Sequence, residues 1–391
     1  MERLIGRRRF LTGAGAVAAV GLLDACRSVP RSITTTVQPA LQLPRLRASV
    51  DRITRITVCS RPFRAQGPRL DVENVGEKTI VHNYGHGGSG WSLSWGSGAI
   101  ATANAMATGE RDIAVIGCGA LGLTTALQLQ RAGARVTIYA KELPPDTRSA
   151  LATGLYTPDS RICLEEHATP AFKQTWEQMA RQSFQTYQSF LGLAGTPVEF
   201  IDSYAVMDDS TNPGQGEPNG RPAFARLQRE LTGDLIAQGT DFPPGSHSLG
   251  HRFLRRNSQL MFNLTAYTRT LLADFTANGG KIEVAEFRAP GELARLKERT
   301  LVNATGYGAR ALFGDDSLIP VRGQMARMIP QAEVTYGLFY NRVSFVPRRD
   351  GLAFQVLGDN DYYGYGDETE MPDRAEAERA VKTIASLFAT T

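Results

Sequence analysis

The hexapeptide Gly117-Cys118-Gly119-Ala120-Leu121-Gly122 is the stretch of this 391-residue chain best suited to hold a phosphorylated ligand. Glycines at this spacing allow a tight turn, close backbone approach to a pyrophosphate, and close packing of a helix on a strand. The free N–H groups of the helix that follows would point at the phosphates, where the macrodipole favours negative charge. The flanks supply the required context. Ile113-Ala114-Val115-Ile116 precedes as a short buried strand, helical spacing runs on through Ala132, and Gly133 stops it. Arg135-Val136-Thr137-Ile138-Tyr139 then reads as a second strand. The pattern predicts a dinucleotide site; the alternative is a glycine turn that holds nothing. A carboxylate at the end of the second strand normally binds the adenosine ribose. Ala140 occupies that place, and Glu142 is the nearest carboxylate.

A second glycine cluster, Gly87, Gly88 and Gly90, lies in VHNYGHGGSGWSLSWG at 81–96. Without side chains, these positions let a flat ligand lie against the backbone. His82 and His86 flank them and read as structural supports. No metal site is expected, because the ligand spacings are wrong for one. After Cys26 the cysteines are Cys59, Cys118 and Cys163, an odd number that builds no complete disulfide framework.

Several elements must carry these residues. Residues 53–58 alternate as a strand, 78–84 read as another, and 98–107 as an Ala-rich helix. Helices are expected over 170–194, over 264–278 before Gly279-Gly280, and over 373–388. Leu301-Val302-Asn303 reads as a buried strand, 208–222 as a polar loop, and 334–366 as two or three strands rich in Tyr and Phe. The composition is 42% apolar and 21% charged, with a formal charge of +4, which excludes fibrous and wholly disordered classes. No apolar run is long enough for a polytopic membrane protein. No basic stripe with interleaved aromatics points to nucleic acid.

Three further stretches carry a resemblance. VHNYGHGGSGWSLSWG strongly resembles the signature near the carboxyl end of D-amino-acid oxidases. Residues 301–325 (LVNATGYGARALF…IPVRGQM) resemble that family's N-x-T-G…RGQ region, and 138–158 resemble the segment after its second strand. Arg61-Pro62-Phe63-Arg64 looks like its arginine-bearing strand. The resemblance implies an α/β fold: an FAD-binding Rossmann-like domain with a second, mixed-sheet substrate domain. It implies FAD as cofactor, a D-amino acid or related amine as small-molecule substrate, and oxygen or another acceptor for the electrons. A homodimer is compatible with it.

The same resemblance assigns roles. Arg61 would grip the substrate carboxylate, Tyr340 would help hold it, and the Gly88 carbonyl would orient the amine. The next family tyrosine is Ser344 here, which removes a phenol. N–H groups of Gly87, Gly88, Ser89, Gly90, Trp91 and Ser92 would hydrogen-bond the flavin ring. Thr147, Arg148, Ser149, Gly154 and Leu155 would lie along the pyrophosphate and flavin, and Thr305-Gly306 would turn beneath the adenine-side phosphate. Arg322-Gly323-Gln324 would shape the core between domains. The expected activity is hydride transfer from Cα, giving an imino acid, then a 2-oxo acid and ammonia, with hydrogen peroxide if oxygen is the acceptor. A glycine- or sarcosine-type amine oxidase, an NAD(P)-dependent dehydrogenase and a flavin-binding protein without turnover stay open.

The order of these stretches departs from the family, which begins with the glycine fingerprint and ends with HNYGHGG and a helix. The expectation is a circular permutation. Residues 51–110 would complete both domains, 111–165 form the dinucleotide core, 166–298 mostly a substrate or cap domain, 299–330 return to the FAD domain, and 331–391 supply substrate-domain strands and a final helix. Residues 1–26 read as an export signal and 27–50 as a linker. Arg7-Arg8-Arg9-Phe10-Leu11-Thr12 resembles a twin-arginine signal. Leu23-Asp24-Ala25-Cys26 loosely resembles a lipoprotein box, which would put a lipid anchor on Cys26 and the protein in the periplasm, outside the cell or on a membrane.

Overall fold

The computed structural model describes residues 40–209 and 220–389. Two sheets organise them. The smaller is built from β2 (Val72–Val75), β3 (Lys78–His82), β4 (Asp112–Ile116), β5 (Arg135–Ala140), β9 (Lys281–Val284) and β10 (Thr300–Asn303), in the order β2-β3-β10-β4-β5-β9. From β3 to β9 every pairing is parallel, and β2 closes one edge antiparallel. Parallel strands must be covered on both faces, so they read as continuous apolar runs. Ile113 to Ile116 and Thr300 to Asn303 are buried at every position.

The larger sheet runs β1-β11-β14-β13-β12-β6-β8-β7. Its members are β1 (Ile53–Arg64), β6 (Val198–Met207), β7 (Thr240–Phe242), β8 (Phe253–Phe262), β11 (Leu318–Met328), β12 (Gly337–Tyr340), β13 (Val343–Val346) and β14 (Leu352–Val356). It is antiparallel except where β12 meets β6. The longest pairing, Ile53↔Met328 to Arg64↔Leu318 with one irregularity after Ile53, ties β1 to β11. Residues 51–110 thus place β1 in the large sheet and β2–β3 in the small one.

Between and around the sheets lie α1 (Gly90–Met106), α2 (Ala120–Arg131), α3 (Pro170–Gln188), the single turn α4 (Gln228–Leu231), α5 (Leu264–Ala277), α6 (Ala309–Phe313) and α7 (Arg374–Ala385). Helix α1 begins eight residues before the Ala-rich stretch suggests, with its first half made of Gly, Ser and Trp apart from Leu93. Close packing is the reason. A Cβ on Gly96 would lie 2.3 Å from the Met179 Cα of α3, and one on Gly98 would meet the Gln128 side chain of α2. Small residues let the three helices approach, and the indole N–H of Trp95 is satisfied by the Tyr267 hydroxyl at 2.8 Å. Helix α3 is started by Thr169, whose hydroxyl accepts from the Phe172 amide, with Pro170 at its first position.

The linker expectation for 27–50 needs correction in its second half. Leu46 is 2% exposed, Leu41 pairs with His247, and the Tyr336 hydroxyl donates to the Pro44 carbonyl. Residues 40–50 are held against the fold by the packing of Leu41, Leu43, Leu46, Ala48 and Val50 and by backbone bonds at Leu41. The export signal, Cys26 and residues 27–39 lie outside the described residues. Among the described residues, no helix is long and apolar enough to cross a membrane.

Candidate functional site

A cavity of about 1120 Å³ opens between the sheets, at the carboxyl ends of β4 and β5. This is where ligands bind in open parallel sheets. The glycine turn is built as its sequence requires. Gly117 sits at φ 110°, and a Cβ there would lie 2.5 Å from the Ala304 carbonyl oxygen. A Cβ on Gly122 would lie 2.0 Å from the Gly117 oxygen. Gly117 and Gly122 therefore bring β4, α2 and the end of β10 together. The Ala120 amide donates to the Ser149 hydroxyl at 3.0 Å, which holds a polar oxygen over the start of α2. Burial pushes the Cys118 thiol up to about 12, so it is an inert filler of the turn.

A second helix start faces the same cavity. Residues Gly90, Trp91 and Ser92 form the first turn of α1, and their amides have no carbonyl four residues back to bond. The amides just before them are committed. Gly87 donates to the Pro62 carbonyl, Gly88 to Ser160 and Ser89 to His86, at 2.8, 2.8 and 2.9 Å. The expectation that all of residues 87–92 offer N–H groups to a flavin is corrected accordingly. Gly87, Gly88 and Ser89 fix the turn; only Gly90, Trp91 and Ser92 have amides to spare. The Trp91 indole donates to the Ser149 carbonyl at 2.8 Å, linking the α1 start to the segment beside α2.

Most of the residues expected at the site share this cavity wall: Arg61, Gly87, Gly88, Gly90, Trp91, Gly117, Gly119, Ala120, Leu121, Glu142, Thr147, Arg148, Ser149, Gly154, Leu155, Thr305 and Gly306. Gly122 packs beneath the turn instead. Ser89 turns its hydroxyl to the Ser160 carbonyl, and the Ser92 hydroxyl accepts from the Thr157 amide. Arg148 pairs with Glu370 at the surface.

Tyr340 is not brought to the cavity. Its hydroxyl donates to the Asp208 carboxylate, whose oxygens lie at 3.1 and 3.0 Å, and the Arg252 guanidinium lies over its ring. Strand parity explains this. Phe339 pairs with Ser344, and both line the cavity, so Tyr340, the next residue, faces the opposite side. Tyr340 and Ser344, which the resemblance sets together, lie on opposite faces of β12–β13.

Arg61, on β1, has two neighbouring backbone partners: its Nη1 donates to the carbonyls of Val321 and Arg322 at 3.4 and 3.2 Å. The guanidinium lies over Gly323, where a Cβ would come within 2.6 Å of its nitrogens. Gly323 is thus the bed on which Arg61 rests. Arg322 serves the framework: it is buried, donates to Glu376 at 3.0 Å and to Gln324 at 3.0 Å, and so ties β11 to α7.

The two histidines act as supports. His82 is buried with its Nε2 3.3 Å from Glu73 and its Nδ1 3.1 Å from the Asn303 amide. Asn303 in turn accepts from the Thr305 amide and hydroxyl. His82 thereby sets the turn after β10. His86 is 1% exposed, and burial pushes its pKa down to about 3, so the ring is neutral.

The wall fits a flavin dinucleotide. Buried polar atoms on it, namely the hydroxyls of Ser60 and Thr147 and both His86 ring nitrogens, have no hydrogen-bond partner among the described residues. Buried groups of this kind call for partners. Two helix starts supply amides for phosphate and ring oxygens. Among the described residues no cluster suits a metal ion.

Several wall residues escaped the sequence reading. Glu286, Phe287 and Arg288 follow β9 and flank the β5 end near Glu142. Glu286 pairs with Lys141 at 3.0 Å, so the adenosine end has two carboxylates in reach, Glu142 and Glu286. Asp159, Arg161, Arg226 and the 357–361 loop also line the cavity. Their spacing carries no local signal, because a parallel strand pair and a long loop bring them in.

Residues 112–390 match the model of a family described as DAO, FAD dependent oxidoreductase. A D-amino-acid oxidase of Rubrobacter xylanophilus is 28% identical over 281 residues, covering 70% of this chain and 76% of that one. A D-amino-acid oxidase of Dictyostelium discoideum is 25% identical over 285 residues, covering 71% and 74%. Among solved structures, an iminodiacetate oxidase from Chelativorans sp. BNC1 aligns with a TM-score of 0.47 at 14% identity, covering 70% of this chain and 78% of that one.

Proposed function

The chain belongs to the FAD-dependent oxidoreductase family whose model it matches, and on that premise we propose that it oxidises a D-amino acid. The family is FAD-dependent, and its relatives support an amino-acid-oxidase type of enzyme. One observation carries the finer reading: Arg61 and Gly88 line the same cavity as the glycine turn. Bound FAD would supply the electron sink, accepting the hydride from Cα. The protein's part is position. Helix α2 and its turn would hold the pyrophosphate, with Thr147 and Ser149 beside it. The start of α1 would meet the ring through Gly90 to Ser92. Arg61 would grip the α-carboxylate with two parallel hydrogen bonds. The Gly88 carbonyl would orient the amine, which must be neutral when Cα–H is broken. No side-chain base is needed at Cα.

The test is an absorption spectrum of the purified protein, repeated anaerobically with matched D- and L-amino acids. Bleaching of the flavin bands by D-isomers alone is expected. Bleaching by L-isomers or by glycine and sarcosine only would overturn the assignment.

The permuted order is part of this proposal. The family match starts at Asp112, and the arginine strand and HNYGHGG stretch precede it. Helix α1 leads through Ala107–Arg111 directly into β4. We further propose export through the twin-arginine route, on the Arg7-Arg8-Arg9 motif, with a lipid on Cys26. Replacing Arg7 and Arg8 by Lys should leave the protein inside the cell, and labelled fatty acid should mark Cys26.

A further inference from the structure

Tyr340 faces away from the cavity and Ser344 has no phenol, so the α-carboxylate lacks the second anchor that the proposed oxidation calls for. Arg161 is 9% exposed, sits in the left-handed region at φ 52°, and lines the same cavity as Arg61. Its backbone is pressed on the glycine turn: a Cβ on Gly87 would lie 1.9 Å from the Arg161 carbonyl oxygen, and the Gly88 amide donates to Ser160 next to it. Its Nε donates to the Asp361 carbonyl at 2.6 Å, while its Nη2 lies 3.5 Å from the Asp361 carboxylate. Its Nη1 makes no hydrogen bond among the described residues. Asp361 is shared, since Arg226 also pairs with it. Asp159 accepts from the Leu227 and Gln228 amides at 3.0 Å.

The charges at this end are three guanidinia, Arg61, Arg161 and Arg226, against the carboxylates of Asp159 and Asp361. Arg342 and Asp359 line the cavity as well and add one charge of each sign. Burial and the nearby Arg61 charge both make it harder for Arg161 to stay protonated, pulling it down to about 10. An anion between the two guanidinia relieves that repulsion.

We propose that Arg161 is the second carboxylate anchor of the substrate site: one carboxylate is held between Arg61 and Arg161, the latter replacing the absent phenols. This rests on the reading of Arg61 given above, but it needs no turnover to be tested. The experiment titrates the FAD-loaded protein with butyrate and, separately, with glutarate, followed by the flavin absorption shift and by calorimetry. Butyrate should bind, and glutarate within a few-fold of it. Arg161→Met should weaken butyrate at least about tenfold, with Arg161→Lys between it and the wild type. Asp361→Asn removes the partner but leaves the anchor, so butyrate affinity should be kept or raised; an Arg161 that only supports the fold would lose binding here too.

Unchanged butyrate affinity in Arg161→Met overturns the proposal, as does absence of butyrate binding to the wild type. A large glutarate advantage that vanishes in Arg161→Met also overturns it, because the two arginines would then hold separate carboxylates. Butyrate binding that persists while no D-amino acid bleaches the flavin would sink the oxidation reading and leave the anchor standing.

Discussion

Gly87→Ala and Gly90→Ala lie three residues apart and should fail in opposite ways. Gly87 is at φ 54°, and its added Cβ would meet the Arg161 carbonyl oxygen at 1.9 Å and carbon at 2.8 Å. Both are backbone, so no side chain can swing aside. The left-handed conformation costs about 1–2 kcal/mol for a residue with a Cβ. Separating the segments also loses the Gly88 amide to Ser160 hydrogen bond, worth about 1 kcal/mol. The sum is roughly 2–3 kcal/mol before the clash itself. At about 2.1 cal/mol/K of unfolding entropy per residue, this chain loses about 1.2 °C of Tm per kcal/mol, hence about 2–4 °C or more. Gly90 has nothing within 4 Å of its added Cβ and begins α1. Alanine there keeps or slightly raises apoprotein stability through helix propensity, by up to about 1 kcal/mol. Its methyl would instead enter the cavity beside the amides offered to the flavin. The assay pairs apoprotein Tm with FAD affinity from flavin fluorescence quenching. Gly87→Ala should lower Tm in the apoprotein, and Gly90→Ala should weaken FAD at unchanged apoprotein Tm. Equal losses of Tm, or FAD affinity unaltered in Gly90→Ala, would refute the division of the turn into committed and available amides.

Arg61→Met should lower kcat/KM for D-amino acids roughly 100-fold, since a charged bidentate contact contributes about 3 kcal/mol or more; steady-state kinetics with equal FAD loading checks it. Tyr340→Phe should leave kcat/KM within about twofold, because its phenol serves Asp208 and not the cavity; a 100-fold loss would contradict the face assigned to it. Glu376→Gln weakens the buried pairing of Arg322, which keeps Asp367 at 3.9 Å, at a cost of about 1–3 kcal/mol that should appear as a fall in Tm. His86 remains neutral in the folded state down to about 3, whereas the unfolded chain protonates near the ordinary 6.5. The unfolded state therefore binds more protons between these values. Stability is full above about 6.5 and falls as pH drops toward 3. Denaturation at stepped pH should show a shallower slope in His86→Gln.

Where the sequence was read through backbone necessity, it led to the right place. Gly117 and Gly122 were legible because the turn itself sets φ 110° at the first and brings the second within 2.0 Å of the Gly117 oxygen; the contacts of Gly117 with Ala304 and of Gly119 with Ser149 only the fold shows. The alternation of Ile53 to Val58 likewise marked a strand, though β1 runs on to Arg64 because β11 offers a partner that far. Tyr340 was misplaced because the resemblance fixes a position along the chain, whereas the turn at Asn341 and Arg342, both with positive φ, fixes which face it shows. Arg161 and Glu286 were invisible because nothing local distinguishes them from solvated charges. The strapping of residues 40–50 was missed because a segment with no period is held by partners it meets only in the fold.

The position of β10 bears on how the chain is made. It lies between β3 and β4, parallel to both, although those two strands are separated in sequence only by α1 and its short exit. During synthesis, β3, β4 and β5 leave the ribosome long before residue 300. Until then β3 and β4 carry unpaired inner edges, and the small sheet lacks its middle. Late insertion of a central strand means high contact order and slow closure. Exposed edges over that interval invite association with other chains. Expression yield should therefore respond to temperature and to chaperone supply more than the native stability alone would suggest.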